Sequence, residues 1–170
     1  MSSNLNNRVC HADSISVKKN CKTTVYFENL QQIVCAAIME ADCVVGCVAW
    51  VRCKKIISAL MQRPCMLLVT SDRVHRANRA AFGNLTPIPG LCRQACSIVG
   101  TARGKFRPLM HNKFLVLLRK NKPYAVLTGS FNFTVHSSSN LENIVRIDNK
   151  EIAECYYSEA KAISEIARPV

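Results

Sequence analysis

Apolar positions along this chain alternate between two periodicities. Leu30, Ile33, Val34, Ala37, Ile38 and Ala41 fall at i, i+3, i+4, i+7, i+8 and i+11, the spacing of one buried helical face. Ahead of them, "TTVYF" (Thr23 to Phe27) reads as a short strand rich in β-branched and aromatic residues. After them, "CVVGCVAW" runs apolar without alternation, which predicts a strand buried on both faces of a sheet. Cys53, Ile56, Ile57, Leu60 and Met61 mark a second amphipathic helix, stopped near Pro64, and "CMLLVTSD" a further buried strand.

The second half continues the alternation. "RVHRANRA" (Arg73 to Ala80) predicts a basic helix, and "FGNLTPIPG", with two Pro and two Gly, an irregular segment. Strands are expected at "ACSIV", Asn112 to Leu118, Tyr124 to Thr128 and "LENIVRI", the middle two joined by the polar tip "RKNKP". Ile152, Cys155, Tyr156, Ala160, Ile163 and Ile166 mark a terminal helix. Strands interleaved with helices give an α/β domain in which helices cover a mixed sheet. Residues 1–22, rich in Asn, Ser and Lys and without a period, read as a flexible basic arm, and 23–170 as the folded domain.

Charge narrows the choice of partner. Among 170 residues, 23 Lys+Arg face 11 Asp+Glu, a formal net charge of +12. Such a balance favours a polyanion, nucleic acid before an anionic membrane. The opening "MSSNLNNRVC" is polar and no signal-peptide core follows it. The longest apolar run, "CVVGCVAWV", falls well short of the ~20 residues that span a bilayer. A cytoplasmic protein, with a nuclear location also open, and no stable membrane association are therefore expected. Ten cysteines without a secretion signal read mainly as small hydrophobes, among them Cys35, Cys43, Cys47 and Cys65. Cys92 and Cys96, with His75 upstream, lack a second matching pair, so no metal site and no cofactor are expected.

Candidate chemistry concentrates in three segments: "LMHNKFLVLL", "TGSFNFT" and "NLEN". On a strand, His111 and Lys113 project from the same face. The lysine offers a fixed charge for a phosphate, and an imidazole beside that charge is biased toward its neutral, nucleophilic form. Ser130 and Asn132 place two small polar side chains just past a strand end, where Gly129 is expected to permit close backbone approach to a ligand. Glu142 can hold one imidazole nitrogen and fix the tautomer. A base, a phosphate clamp and an orienting carboxylate together suit phosphodiester chemistry.

These segments resemble the signature of the phospholipase D superfamily, His-x-Lys-x4-Asp followed by Gly-Ser-x-Asn, and most of all its small single-motif nucleases. The resemblance implies a phospholipase D-like α/β/α sandwich. It also implies metal-free attack by His111 on phosphorus through a phosphohistidine, with Lys113, Ser130 and Asn132 on the phosphate oxygens and Glu142 orienting the imidazole. One position departs from the signature: Leu118 stands where the family has Asp. Lying an odd number of residues from His111, it should point to the opposite face of the strand. The departure leaves a non-catalytic nucleic-acid-binding module on the same fold as one alternative. The other is a phospholipid phosphodiesterase, which should show an exposed apolar lip, and none stands out in the sequence. Larger relatives carry two His-x-Lys motifs where this chain carries one, so a homodimer is expected to complete the site. Arg73, Arg76 and Arg79 on one approach, and Arg93, Arg103, Lys105 and Arg107 on the other, are expected to line a groove that tracks nucleic-acid phosphates.

Overall fold

The computed structural model describes residues 9–10, 21–70, 79–100 and 109–170. Along them run β1 (Lys22–Tyr26), α1 (Leu30–Glu40), β2 (Cys43–Val48), α2 (Lys54–Leu60), β3 (Cys65–Thr70), α3 (Arg79–Gly83) and β4 (Cys96–Val99). After these come β5 (Lys113–Arg119), β6 (Lys122–Gly129), a 3-10 turn (His136–Ser139), β7 (Ile144–Asp148), α4 (Lys150–Ser164) and β8 (Arg168–Pro169). The strands form one sheet in the order β1-β7-β6-β5-β2-β3-β4-β8. β2, β3 and β4 are mutually parallel, and every other pairing is antiparallel. The sheet is therefore mixed, as expected.

Two hydrophobic cores follow from the pleat, because alternate residues of each strand feed opposite faces. Val44, Val48, Leu67, Val69, Leu115, Leu117 and Leu127 pack with Val34, Ile38, Ile56 and Leu60 from α1 and α2. Val45, Cys47, Met66, Leu68, Val116, Leu118 and Val126 pack with Ala153, Ala160 and Ile163 from α4. The result is helices on both sides of a sheet. Every residue of β2 and β3 is buried, which is why those strands read as unbroken apolar runs.

Local chemistry sets the element ends. Lys120 and Asn121 both take positive φ, 50° and 60°, the two-residue turn that matches the twist of a hairpin. The Lys120 amide donates to Asp42 Oδ2 at 2.7 Å, tying that turn to the end of α1. Asn149 caps α4 by accepting from the Ile152 amide at 2.9 Å. One strand in from the β1 edge of the sheet, Arg146 on β7 makes a forked pair with Glu40 of α1, at 2.7 and 3.0 Å. That guanidinium holds the Glu40 carboxyl below its ordinary range. No helix among the described residues is long and apolar enough to cross a membrane.

The boundaries differ from the sequence reading where polar residues lead into strands. β5 starts at Lys113, not Asn112, and β7 at Ile144, so His111 and Glu142 both precede their strands. β1 ends at Tyr26, leaving Phe27 outside it. The basic helix expected over Arg73 to Ala80 lies mostly outside the described residues. The part described, α3, begins at Arg79.

Candidate active site

Sheet register brings the three motif segments to one edge. Val48, the last residue of β2, pairs with Lys113, the first of β5. Phe114 pairs with Thr128 on β6, and Gly129 pairs with Ile144, the first residue of β7. The residues just beyond this row share one rim of the sheet: Trp50 after β2, His111 before β5, Ser130 and Asn132 after β6, and Glu142 before β7. Segments far apart in sequence thus meet through strand pairing alone.

Trp50 is the residue around which His111 and Lys113 gather. The His111 ring stands edge-on to the indole, centroids 5.3 Å apart and planes at 80°. The Lys113 ammonium lies 5.8 Å from the indole centroid and donates to the His111 carbonyl at 2.6 Å. The two side chains therefore meet at one site, although His111 is not part of the strand. Burial, and after it the charge of Lys113, pull the His111 imidazole below its ordinary pKa. Burial also lowers Lys113, against an opposing pull from the Glu142 carboxylate. The imidazole is thus held neutral beside a cation, the state a nitrogen nucleophile needs.

The segment after β6 is built by its phenylalanines. Phe131 and Phe133 are buried, rings 6.3 Å apart, while Ser130 is exposed and Asn132 half-buried. The Phe133 amide donates to the Trp50 carbonyl at 3.0 Å, and its carbonyl accepts from the Arg52 and Cys53 amides at 2.7 and 2.8 Å. Phe133 thereby fixes the backbone that presents Trp50 and Arg52. Ser130 and Asn143 bind reciprocally: the Ser130 amide donates to Asn143 Oδ1, and the Asn143 amide to Ser130 Oγ, both at 3.1 Å. A Cβ on Gly129 would sit 2.3 Å from the Asn143 carbonyl oxygen. The close approach that glycine permits here is made by the neighbouring segment of the chain.

A cleft of about 530 Å³ opens beside these groups, lined by Trp50, Arg52, Asn132, Val135, His136 and Glu142, among others. Asn132 Oδ1 is shielded from solvent and has no hydrogen-bond partner. Glu142 is assigned from sequence to the His111 ring. In the structure its charge acts on Lys113.

Leu118 lies in the core under α4, whereas Leu115 and Leu117, in step with Lys113, face α1 and α2. The position without the family Asp is thus on the far side of the sheet from Lys113.

The arginines divide differently from the sequence reading. Arg73, Arg76, Arg103, Lys105 and Arg107 lie outside the described residues. Arg79 and Arg93 share a separate cleft with Leu85, Pro87 and Cys96. There the Arg79 Nε donates to the Val170 carbonyl at 2.7 Å. Cys96 opens β4, which runs parallel to β3 and β2, so this cleft sits at the rim opposite Trp50. Arg93 precedes the motif in sequence, but β4 crosses the sheet between the two. Trp50 and Arg52 are absent from the sequence reading. The available signal was the chain's single tryptophan, placed where a buried run ends. Of the cysteines near the imagined metal position, Cys92 donates to the Cys65 and Ile88 carbonyls, and burial pushes the Cys65 thiol up to about 12.

Comparison with known proteins gives a consistent family. The family model described as "Cardiolipin synthase, PLD-like domain" matches residues 51–163. Uncharacterized protein L381 of Acanthamoeba polyphaga mimivirus is 26% identical over 177 aligned residues, taking in 81% of this chain and 63% of L381. The chain therefore spans just under two thirds of that relative. Among solved structures, the phospholipase D family member Nuc from Salmonella typhimurium has a TM-score of 0.63 at 21% identity, covering 89% of this chain and 99% of Nuc. NucT from Helicobacter pylori has a TM-score of 0.66 at 12% identity, covering 89% of this chain and all of NucT. At these identities the structural likeness concerns the fold.

Proposed function

This chain belongs to the phospholipase D superfamily, and on that premise we propose that residues 23–170 form a metal-independent nuclease. The observation that carries the reading is the meeting of a neutral His111 with Lys113 at Trp50. A His111 ring nitrogen attacks phosphorus, a P–N bond forms, and the P–O bond to the leaving alkoxide breaks. Lys113, Ser130 and Asn132 hold the non-bridging oxygens, whose charge grows as phosphorus becomes five-coordinate. A second imidazole protonates the departing oxygen. It then takes a proton from water as that water attacks phosphorus and releases His111. In this reading the second imidazole is the partner subunit's His111, across a two-fold homodimer.

A net charge of +12 supports nucleic acid as the substrate. A second reading, a phospholipid phosphodiesterase, draws on one feature the sequence did not reveal. Val135 and Leu141, beside or within the cleft-lining segment, are 65% and fully exposed. Incubating the purified chain in EDTA with single- and double-stranded DNA, RNA and anionic liposomes separates the readings. Cleavage of nucleic acid that survives the chelator and disappears in His111→Ala is expected. Activity abolished by EDTA and restored by Mg²⁺ would overturn the mechanism.

A further inference from the structure

The cleft beside Trp50 does not end at the motif. A second cleft of about 430 Å³, lined by Phe27, Asn29, Gln31 and Gln32, adjoins it, and the two share Ser137 and Asn140. Together they form a groove from the rim of β2 to the start of α1. Both volumes fall in the range of small-ligand pockets, about 300–1,000 Å³.

The lining chemistry changes along the groove. At the Trp50 end the charged lining residues are Arg52 and Glu142, with the Lys113 ammonium close by against the indole. Toward Phe27 the polar lining is mostly neutral amides, Asn140, Asn29, Gln31 and Gln32, with one carboxylate, Glu28. Phe27 itself is 71% exposed, an uncommon position for a large aromatic ring. Neutral amides give paired donors and acceptors that match base edges, and an exposed ring gives a stacking surface. Phosphates alone would call for cations along the whole length. Bases in a duplex are stacked on both faces, so only an unpaired base can lie on the Phe27 ring.

We propose that this groove binds an unpaired nucleic-acid strand, with a base beside the scissile phosphate in the Trp50 cleft and a flanking base stacked on Phe27. The proposal rests on the nuclease reading and adds strand selectivity to it. Duplex substrate reaches His111 only where its ends fray or its bases are unpaired.

The test measures fluorescence anisotropy of His111→Ala protein with a labelled single-stranded oligonucleotide of about a dozen residues and with the same sequence as a blunt duplex. Single strands should bind at least about tenfold tighter. Phe27→Ala should lose about tenfold in single-strand affinity, the scale of one stacked base, while Phe27→Trp should keep it. Because Phe27 is mostly exposed, both variants should melt at the wild-type temperature. Equal binding of duplex and single strand, or Phe27→Ala binding like its parent, would overturn the groove. Vesicles of phosphatidylglycerol and phosphatidylcholine whose binding falls in Phe27→Ala, with strand affinity unchanged, would assign this surface to lipid and also overturn it. Hydrolysis of bis(p-nitrophenyl) phosphate by the wild-type chain reads the chemistry separately. Failure there counts against the phosphodiesterase mechanism, while strand selectivity is still read from binding.

Discussion

Lys113 bends back to its own strand entrance, its ammonium 2.6 Å from the carbonyl of His111. The cation is thereby fixed close to the imidazole it acts upon. Burial and the Lys113 charge both disfavour the imidazolium, so His111 stays neutral below the pH at which an ordinary histidine protonates, about 6.5. The acid limb of the activity profile should therefore lie below the ordinary histidine range, where the attacking His111 takes up a proton. Activity should also fall at higher pH, as the donating imidazole loses its proton. Lys113→Met removes the charge while keeping an unbranched chain. The His111 Hε1 resonance, followed by NMR across pH, should then titrate at a higher pH than in the wild type. An unchanged or lower midpoint would show that Lys113 does not tune this imidazole. The stability linkage has a matching sign: folding is favoured above the unfolded pKa of His111 and loses that contribution as pH falls through the window below it.

Gly129 is held by packing against Asn143. Ala at this position would place Cβ 2.3 Å from a backbone oxygen and 2.9 Å from the Asn143 side chain, too close for either to remain in place. Overpacking of this kind costs about 1–3 kcal/mol. Gly129→Ala should lower the urea midpoint accordingly. It should also reduce turnover, because Asn143 adjoins Glu142 and is bound to Ser130. Wild-type stability in this variant would mean that the strand pair yields easily.

The rim was legible in sequence because its motif segments sit at the ends of apolar runs that read as strands. His-x-Lys, Gly-Ser-x-Asn and Asn-Leu-Glu-Asn each flank a strand end, and antiparallel pairing of β5, β6 and β7 brings those ends together. Trp50 was not legible, since "CVAW" reads as continuous strand, whereas β2 ends at Val48 and Phe133 takes over the backbone pairing. Arg93 was misplaced for the converse reason. Nearness in sequence to the motif carries no information about which rim a parallel strand leaves from. Phe27 and Leu141 count as apolar in any pattern, and only the fold shows that they are exposed.

Leu118 is 1% exposed, in the core beneath α4. Restoring the family residue by Leu118→Asp would bury a carboxylate among Cys43, Val45, Val116 and Ala153. A buried charge without a partner costs at least about 3 kcal/mol, so the variant should unfold at markedly lower denaturant. Turnover per folded molecule should not rise. A variant of wild-type stability with raised turnover would show that the missing Asp, and not the architecture of the rim, limits the activity.

One His-x-Lys motif supplies one imidazole, whereas the proposed reaction needs an attacking nitrogen and a proton donor in the same turnover. Within the chain, His136 lines the Trp50 cleft and is the alternative donor. Both arrangements can be distinguished. In a shared site, light scattering should give about twice the 18.9 kDa chain mass. Mixing wild type with excess His111→Ala under subunit exchange should suppress activity beyond dilution, since heterodimers lack one of the two imidazoles. His136→Ala should then retain most of its turnover. If His136 is the donor, the chain works as a monomer, mutant subunits leave wild-type activity untouched, and His136→Ala loses roughly 10²–10⁴-fold, the usual worth of a general acid. That second pattern would overturn the composite site.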